Sequence, residues 1–163
     1  MKICFFHLMP YRFLPADVET RYRSVWVDVP HSELEYAEQA GFEGLCVNEH
    51  YNNAYGLMPS PDLMAATLTR RTSRAAIIVL GNSLAAYNPP LRVAEELAML
   101  DLLSGGRLVA GFPVGTSMDM NFAYGINPAT LRERYYEAAI SSCRPGRGPT
   151  SFRSTASTRN SAT

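Results

Sequence analysis

Four short clusters hold the residues of this chain that could do chemistry: His7, Asn48-Glu49-His50-Tyr51, Gly81-Asn82-Ser83 and Pro113-Val114-Gly115-Thr116. His7 stands near the end of an apolar run, and each of the other three clusters stands just past one. Two of the chain's three histidines, His7 and His50, fall here, and the carboxylate of Glu49 stands beside His50; an imidazole titrates near neutrality. Glycines let a ligand approach the backbone closely, and Asn82 and Ser83 add hydrogen-bonding groups. Loops are polar in general, but four such loops in series favour a binding site.

The apolar runs that position these clusters are Ile3–Leu8, Gly44–Val47, Ala75–Leu80 and Leu108–Phe112. None alternates apolar with polar residues, so each is expected to be a strand covered on both faces, as in a parallel sheet. Helical patterns lie between them. Ser32 to Ala40 follows Pro30 and stops at Gly41. Ser60-Pro61-Asp62 supplies a cap, a first-turn proline and an acid suited to the helix dipole, opening a helix to about Arg74. Pro90 to Ser104 begins with proline and ends at Gly105-Gly106, the usual asymmetry of helix ends. Leu131 to Ala138 gives a fourth, on which Tyr135 and Tyr136 are expected to supply packing area. Strands begin thirty to forty residues apart, about one βα unit. This α/β pattern fits a doubly wound sheet or a (β/α)8 barrel, and periodicity does not choose between them. In both, ligands bind at the carboxyl ends of the strands, where the four clusters fall.

The 163 residues suit one domain. Fifteen basic and fifteen acidic residues leave no net charge, so nothing points to nucleic acid or an anionic membrane. No apolar run approaches the ~20 residues that span a bilayer, and the segment after Met1-Lys2 is too brief for a signal peptide. Cys4, Cys46 and Cys143 lack metal-ligand spacing, which suggests buried free thiols in the cytoplasm and no metal site. Arg92 is expected to form a structural ion pair with Glu95 or Glu96.

Three strings, GFEGLCVNEHY (41–51), VLGNSLA (79–85) and PPLRVAEELAMLDLLSGGRLVAGFPVG (89–115), together resemble the bacterial luciferase-like flavin monooxygenases. They occur in the family's order and spacing, within a match from about residue 1 to 138. The resemblance implies a TIM-type barrel, reduced FMN, and O2 reacting at the flavin C4a to give a C4a-peroxyflavin. It implies a separate flavin reductase, a small organic substrate and a homodimer. His50 matches the family's active-site histidine and Glu49 its acidic neighbour. Gly81, Asn82 and Ser83 match the strand end where the family lays its flavin ring, often beside a non-proline cis peptide. Pro113, Val114 and Gly115 match the stretch flanking the flavin. The luciferases proper have an arginine where Val114 stands, which removes one phosphate contact.

Two departures accompany the match. Residues 24–33, joining the first strand to its helix, are shorter than the family norm. A full barrel needs eight βα units and roughly 250 residues, whereas four strands are legible here. Residues 1–138 are therefore expected to be the N-terminal half of such a barrel. The remainder, 139–163, has four arginines, ten Ser/Thr and no acid, so it is expected to be disordered or frameshifted. Shifting the reading frame from Ala139 permits DLIVPAWARPDVFPFDGKYTQFRY, which resembles the family's continuation. Other readings are a deazaflavin-dependent oxidoreductase on the same barrel, a non-catalytic flavin-binding module, or a fragment without activity.

Overall fold

The structure, a computed structural model, describes residues 1–10, 28–52, 55–115 and 117–143. Four strands, β1 (Cys4–His7), β2 (Gly44–Val47), β3 (Ala76–Leu80) and β4 (Leu108–Gly111), form one parallel sheet in the order β1-β2-β3-β4. The register pairs Phe6 with Cys46, Cys46 with Ile78, and Leu80 with Gly111. Helices α1 (Val29–Gln39), α2 (Pro61–Arg71) and α3 (Leu91–Ser104) make the crossovers; α4 (Met118–Tyr124) and α5 (Leu131–Cys143) follow β4. Short 3-10 turns at Leu84–Ala86 and Pro128–Thr130 precede α3 and α5.

Local signals explain most boundaries. Ser60 caps α2 by accepting the Leu63 N–H, with Pro61 in the first turn. Gly105 closes α3 at φ +69°, the left-handed conformation that favours glycine. Helix α1 starts earlier than expected, because Pro30 and His31 lie within its first turn and are buried. Helix α5 continues past Ala138 to Cys143, and α4 had no clear periodic signal in the sequence. Thr116 and most of the stretch between β1 and α1 lie outside the described residues, as does everything after Cys143.

The core lies on one side of the sheet. Leu45, Val47, Ile77 and Val79 have no exposed surface and pack against Leu34 and Ala37 of α1, Leu68 of α2, and Val93, Leu97 and Leu100 of α3. Successive strand side chains point to opposite faces, and the other face carries Cys4, Phe6, Leu80 and Val109. The last three are 46%, 47% and 48% exposed. The expectation of two covered faces is thus corrected: the strands lack alternation because both faces are apolar, while among the described residues helices cover only one. The thiols correct likewise, since Cys46 is buried but Cys4 is exposed.

At the amino ends of the strands, backbone fastening dominates. The Glu38 carboxylate accepts the N–H groups of Ser73, Arg74 and Ala75 at 2.7–3.2 Å. Burial opposes its charge, yet these donors hold it below the usual carboxylate range. The Arg107 guanidinium donates to the carbonyls of Thr69, Thr72, Ala75 and Ser104 and to the Thr72 hydroxyl. With five donors in a planar fork, one arginine can tie α2 to the starts of β3 and β4.

Candidate functional site

The carboxyl end of the sheet holds a connected polar network. His50 follows β2 by three residues, and its N–H donates to the Met58 carbonyl at 2.9 Å. Its Nδ1 lies 3.2 Å from Asp119 Oδ2, an oxygen that also accepts the Tyr51 N–H at 3.1 Å. The imidazole is one-fifth exposed and meets the Tyr55 ring edge-on at 5.2 Å. Burial works against the Asp119 charge, but hydrogen bonds from Ser117, His50 and the Met120 N–H bring it below the ordinary carboxylate range. An ionised Asp119 therefore faces Nδ1, fixing the ring and leaving Nε2 for other chemistry.

Glu49 points the other way along the rim. Its Oε2 accepts the Ser83 N–H at 2.9 Å; its Oε1 accepts the Tyr87 hydroxyl at 2.6 Å and that of Tyr51. Burial pushes this carboxyl up to about 7; the Tyr87 and Ser83 hydrogen bonds oppose the rise, and the charges of Asp62 and Asp119 add to it. Asn82 is fully buried, its Nδ2 donating to Asp62 Oδ2 at 3.0 Å and lying 3.2 Å from the Tyr87 hydroxyl. Ser83 Oγ donates to the Val114 carbonyl at 3.0 Å, joining the ends of β3 and β4.

Glycines bring the backbones together here. The Leu80–Gly81 peptide is cis, and a Cβ on Gly81 would lie 1.8 Å from the Gly111 carbonyl oxygen. Gly115 has φ +77°, and a Cβ there would fall 2.1 Å from Ser83 Oγ. The Tyr135 hydroxyl donates to the Phe112 carbonyl at 2.7 Å, so this tyrosine anchors β4 to α5 as well as packing.

The structure thus brings together Glu49, His50, Gly81, Asn82, Ser83, Val114 and Gly115, with exposed Pro113 beside them. It removes His7 from the group. That ring is buried, its Nδ1 accepting the Met9 N–H at 3.0 Å and its Nε2 lying 2.9 Å from Glu33 of α1. Asp119 and Tyr87 went unnoticed in the sequence, because contacts spanning 69 and 38 positions leave no local pattern. Arg92 pairs with Glu96 at 2.7 Å on the surface, as expected.

Comparison with known proteins places this rim in a family. Residues 31–141 match the luciferase-like monooxygenases. The chain belongs to that family. It is 38% identical over 118 residues to 4-hydroxyprotoasukamycin monooxygenase of Streptomyces nodosus subsp. asukaensis, covering 71% of this chain and 30% of that protein. It is 32% identical over 111 residues to limonene 1,2-monooxygenase of Rhodococcus erythropolis, covering 66% and 28%. A crystal structure of a monooxygenase from Streptomyces bottropensis superposes with TM-score 0.71 at 27% identity, over 85% of this chain and 41% of that one. The FMN complex of the oxygenating constituent of 3,6-diketocamphane monooxygenase from Pseudomonas putida shares the fold, with TM-score 0.73 at 19% identity over 86% and 38%. The chain therefore spans about three tenths of the length of its curated luciferase-like relatives. Among the described residues, no helix is long and apolar enough to cross a membrane.

Proposed function

We propose that this chain contributes the first four βα units of a TIM-type barrel in an FMN-dependent monooxygenase, with His50 as its acid–base group. The observation that carries this reading is the His50–Asp119 pair, set beside the bare glycine backbone at the ends of β3 and β4. Sequential strand order without a reversal suits an arc of a barrel better than a doubly wound sheet. Residues 1–138 are the barrel portion in this reading, with residues 139–143 completing α5 and the frameshifted remainder falling outside the described residues.

Gly81 is buried against the Gly111 carbonyl and Gly111 is half-buried, so the ends of β3 and β4 present peptide backbone in place of side chains, which suits a planar ring such as a flavin. When bound, reduced FMN would supply the electrons that activate O2. Within this chain, Ser83 and Val114 hold the two strand ends together. Asp119 orients His50, whose Nε2 gives and retakes a proton. Glu49 accepts hydrogen bonds and does not transfer protons itself. A flavin reductase delivering reduced FMN in the cytoplasm, and a small organic substrate, complete the reading. A homodimer fits the apolar side chains left exposed on the helices, Met99, Leu102 and Leu103 of α3 and Leu63 of α2.

The test joins this chain to the complementary four βα units of a relative and supplies reduced FMN from a reductase. Flavin-dependent O2 uptake is expected. Tight deazaflavin binding without O2 uptake overturns the proposal in favour of hydride transfer. The 163-residue chain alone, in which the described residues leave one apolar sheet face open and the outer edges of β1 and β4 unpaired, should self-associate in size-exclusion chromatography.

A further inference from the structure

Behind the glycine strip lies a run of hydrogen bonds that the acid–base reading does not use: Asp62 Oδ2 to Asn82 Nδ2, Asn82 Nδ2 to the Tyr87 hydroxyl, and Tyr87 to Glu49 Oε1. It joins the first turn of α2, the loop after β3, the 3-10 segment before α3 and the end of β2. We propose that Tyr87 and Asp62 are positioning residues that, through Asn82 and Glu49, clamp the Gly81–Ser83 backbone into the conformation that receives the flavin. The clause about flavin rests on the function proposed above; the clamp itself does not.

Geometry makes the clamp two-sided. Asn82 has no exposed surface, so its amide cannot trade protein partners for water. It is gripped by Asp62 from α2 and meets the Tyr87 hydroxyl on the other side. The next residue, Ser83, gives its N–H to Glu49 and its Oγ–H to Val114. Two adjacent residues are thereby held to partners on four separate segments. Burial pushes the Tyr87 phenol strongly upward, so it stays protonated and remains a donor. Asp62 Oδ1 and Asn82 Oδ1 are both buried acceptors without a hydrogen-bond partner. A proton on Asp62 would turn one of them into a donor, and burial pushes Asp62 up to about 6, towards that state.

Because Ser83 N–H donates directly to Glu49, its amide shift reports the ionisation of that carboxyl without any flavin present. The charged groups set around Glu49 are Asp62 from α2 and Asp119 from α4, with the phenols of Tyr51, Tyr87 and Tyr124 nearby. The experiment follows the Ser83 amide by NMR in the full chain from about pH 4 to about pH 9. In the native chain the midpoint should lie near 7. Tyr87→Phe removes one donor to the charged form, so the midpoint should rise by about half to one pH unit. Tyr36→Phe, at an exposed tyrosine, should leave it in place. Glu49→Gln should remove the step near 7 while its amide oxygen still accepts the Ser83 N–H, leaving at most the smaller step of Asp62 near 6, which keeps the test sound even if Tyr87→Phe perturbs folding. An unmoved midpoint in Tyr87→Phe, or a step near 7 that survives in Glu49→Gln, overturns the clamp. In the completed barrel, Tyr87→Phe and Asp62→Ala should each weaken FMN binding about tenfold, a loss of one clamp hydrogen bond to a charged or buried partner. A moved midpoint with unchanged FMN affinity overturns the flavin clause. If the native protein takes up no FMN while the midpoint moves, the function proposed above falls and the clamp stands.

Discussion

The carboxyl ends of β1 and β2 lie side by side, and each is followed or closed by a histidine, yet the two rings are held in opposite ways. At the end of β1, His7 accepts a backbone N–H at Nδ1 and meets Glu33 at Nε2, so both nitrogens are committed. Accepting at Nδ1 requires that nitrogen to be unprotonated, and burial lowers the His7 pKa accordingly, with Glu33 only partly opposing. Past the end of β2, His50 faces a carboxylate at Nδ1 and is partly exposed. One histidine spends both nitrogens on the fold; the other has a ring fixed from behind and an edge to spare. Strand-end position alone therefore does not make a histidine an acid–base group. The number of ring nitrogens already occupied is what separates these two.

Replacement by alanine should break this pair unevenly. In the completed barrel, His50→Ala should lower the oxygenation rate by ~10²–10⁴ while FMN affinity stays within a few-fold, as loss of one general acid–base group does. Stopped-flow and equilibrium binding would measure the two effects, and unchanged turnover would remove His50 from the mechanism. His7→Ala should instead act on stability. It leaves the Met9 N–H without its buried acceptor, at a cost of about 1–3 kcal/mol, readable by denaturant unfolding.

The pH dependence of unfolding sharpens the contrast. The folded-state pKa of His7 lies below its ordinary 6.5, so the unfolded chain binds more protons there. Its contribution is complete above that value and is lost as pH falls through the lowered pKa. Glu49 has the opposite sign, since its folded-state pKa of about 7 exceeds 4.5 and the folded chain binds more protons. The stability it confers is present below 4.5 and lost as pH rises through 7. Thermal melts across this window should lose acid sensitivity in His7→Gln and lose the alkaline-side decline in Glu49→Gln. The smallest effect belongs to Arg92→Ala, whose solvent-exposed pair with Glu96 should be removable with no measurable change in melting temperature.

The strands were legible because they are short apolar runs closed by glycine, proline or polar clusters, and α2 and α3 because Ser60 and Gly105 mark their ends. Helix α4 was not, since Met118 to Tyr124 is too short to show a period. The open face of the sheet was not legible either. An apolar run reads the same whether a helix or the interior of a barrel is to cover it, and only the exposure of Phe6, Leu80 and Val109 separates the two. Within the site, Glu49 and His50 were visible as neighbours in sequence, but their divergence was not. Successive residues after a strand leave in different directions, which sent one to Asp119 and the other to Ser83 and Tyr87.

Where β3 and β4 end, position 81 is closed to any side chain, because even a methyl group would enter the space of the Gly111 carbonyl oxygen. A flavin in the proposed site would meet peptide planes there whose shape and polarity no substitution can retune. Selectivity for one substrate over another would then be written elsewhere, in side chains that can be exchanged without moving the backbone. An effort to redirect this site would leave the glycine strip alone and vary its margins, where Tyr55 and Val114 stand.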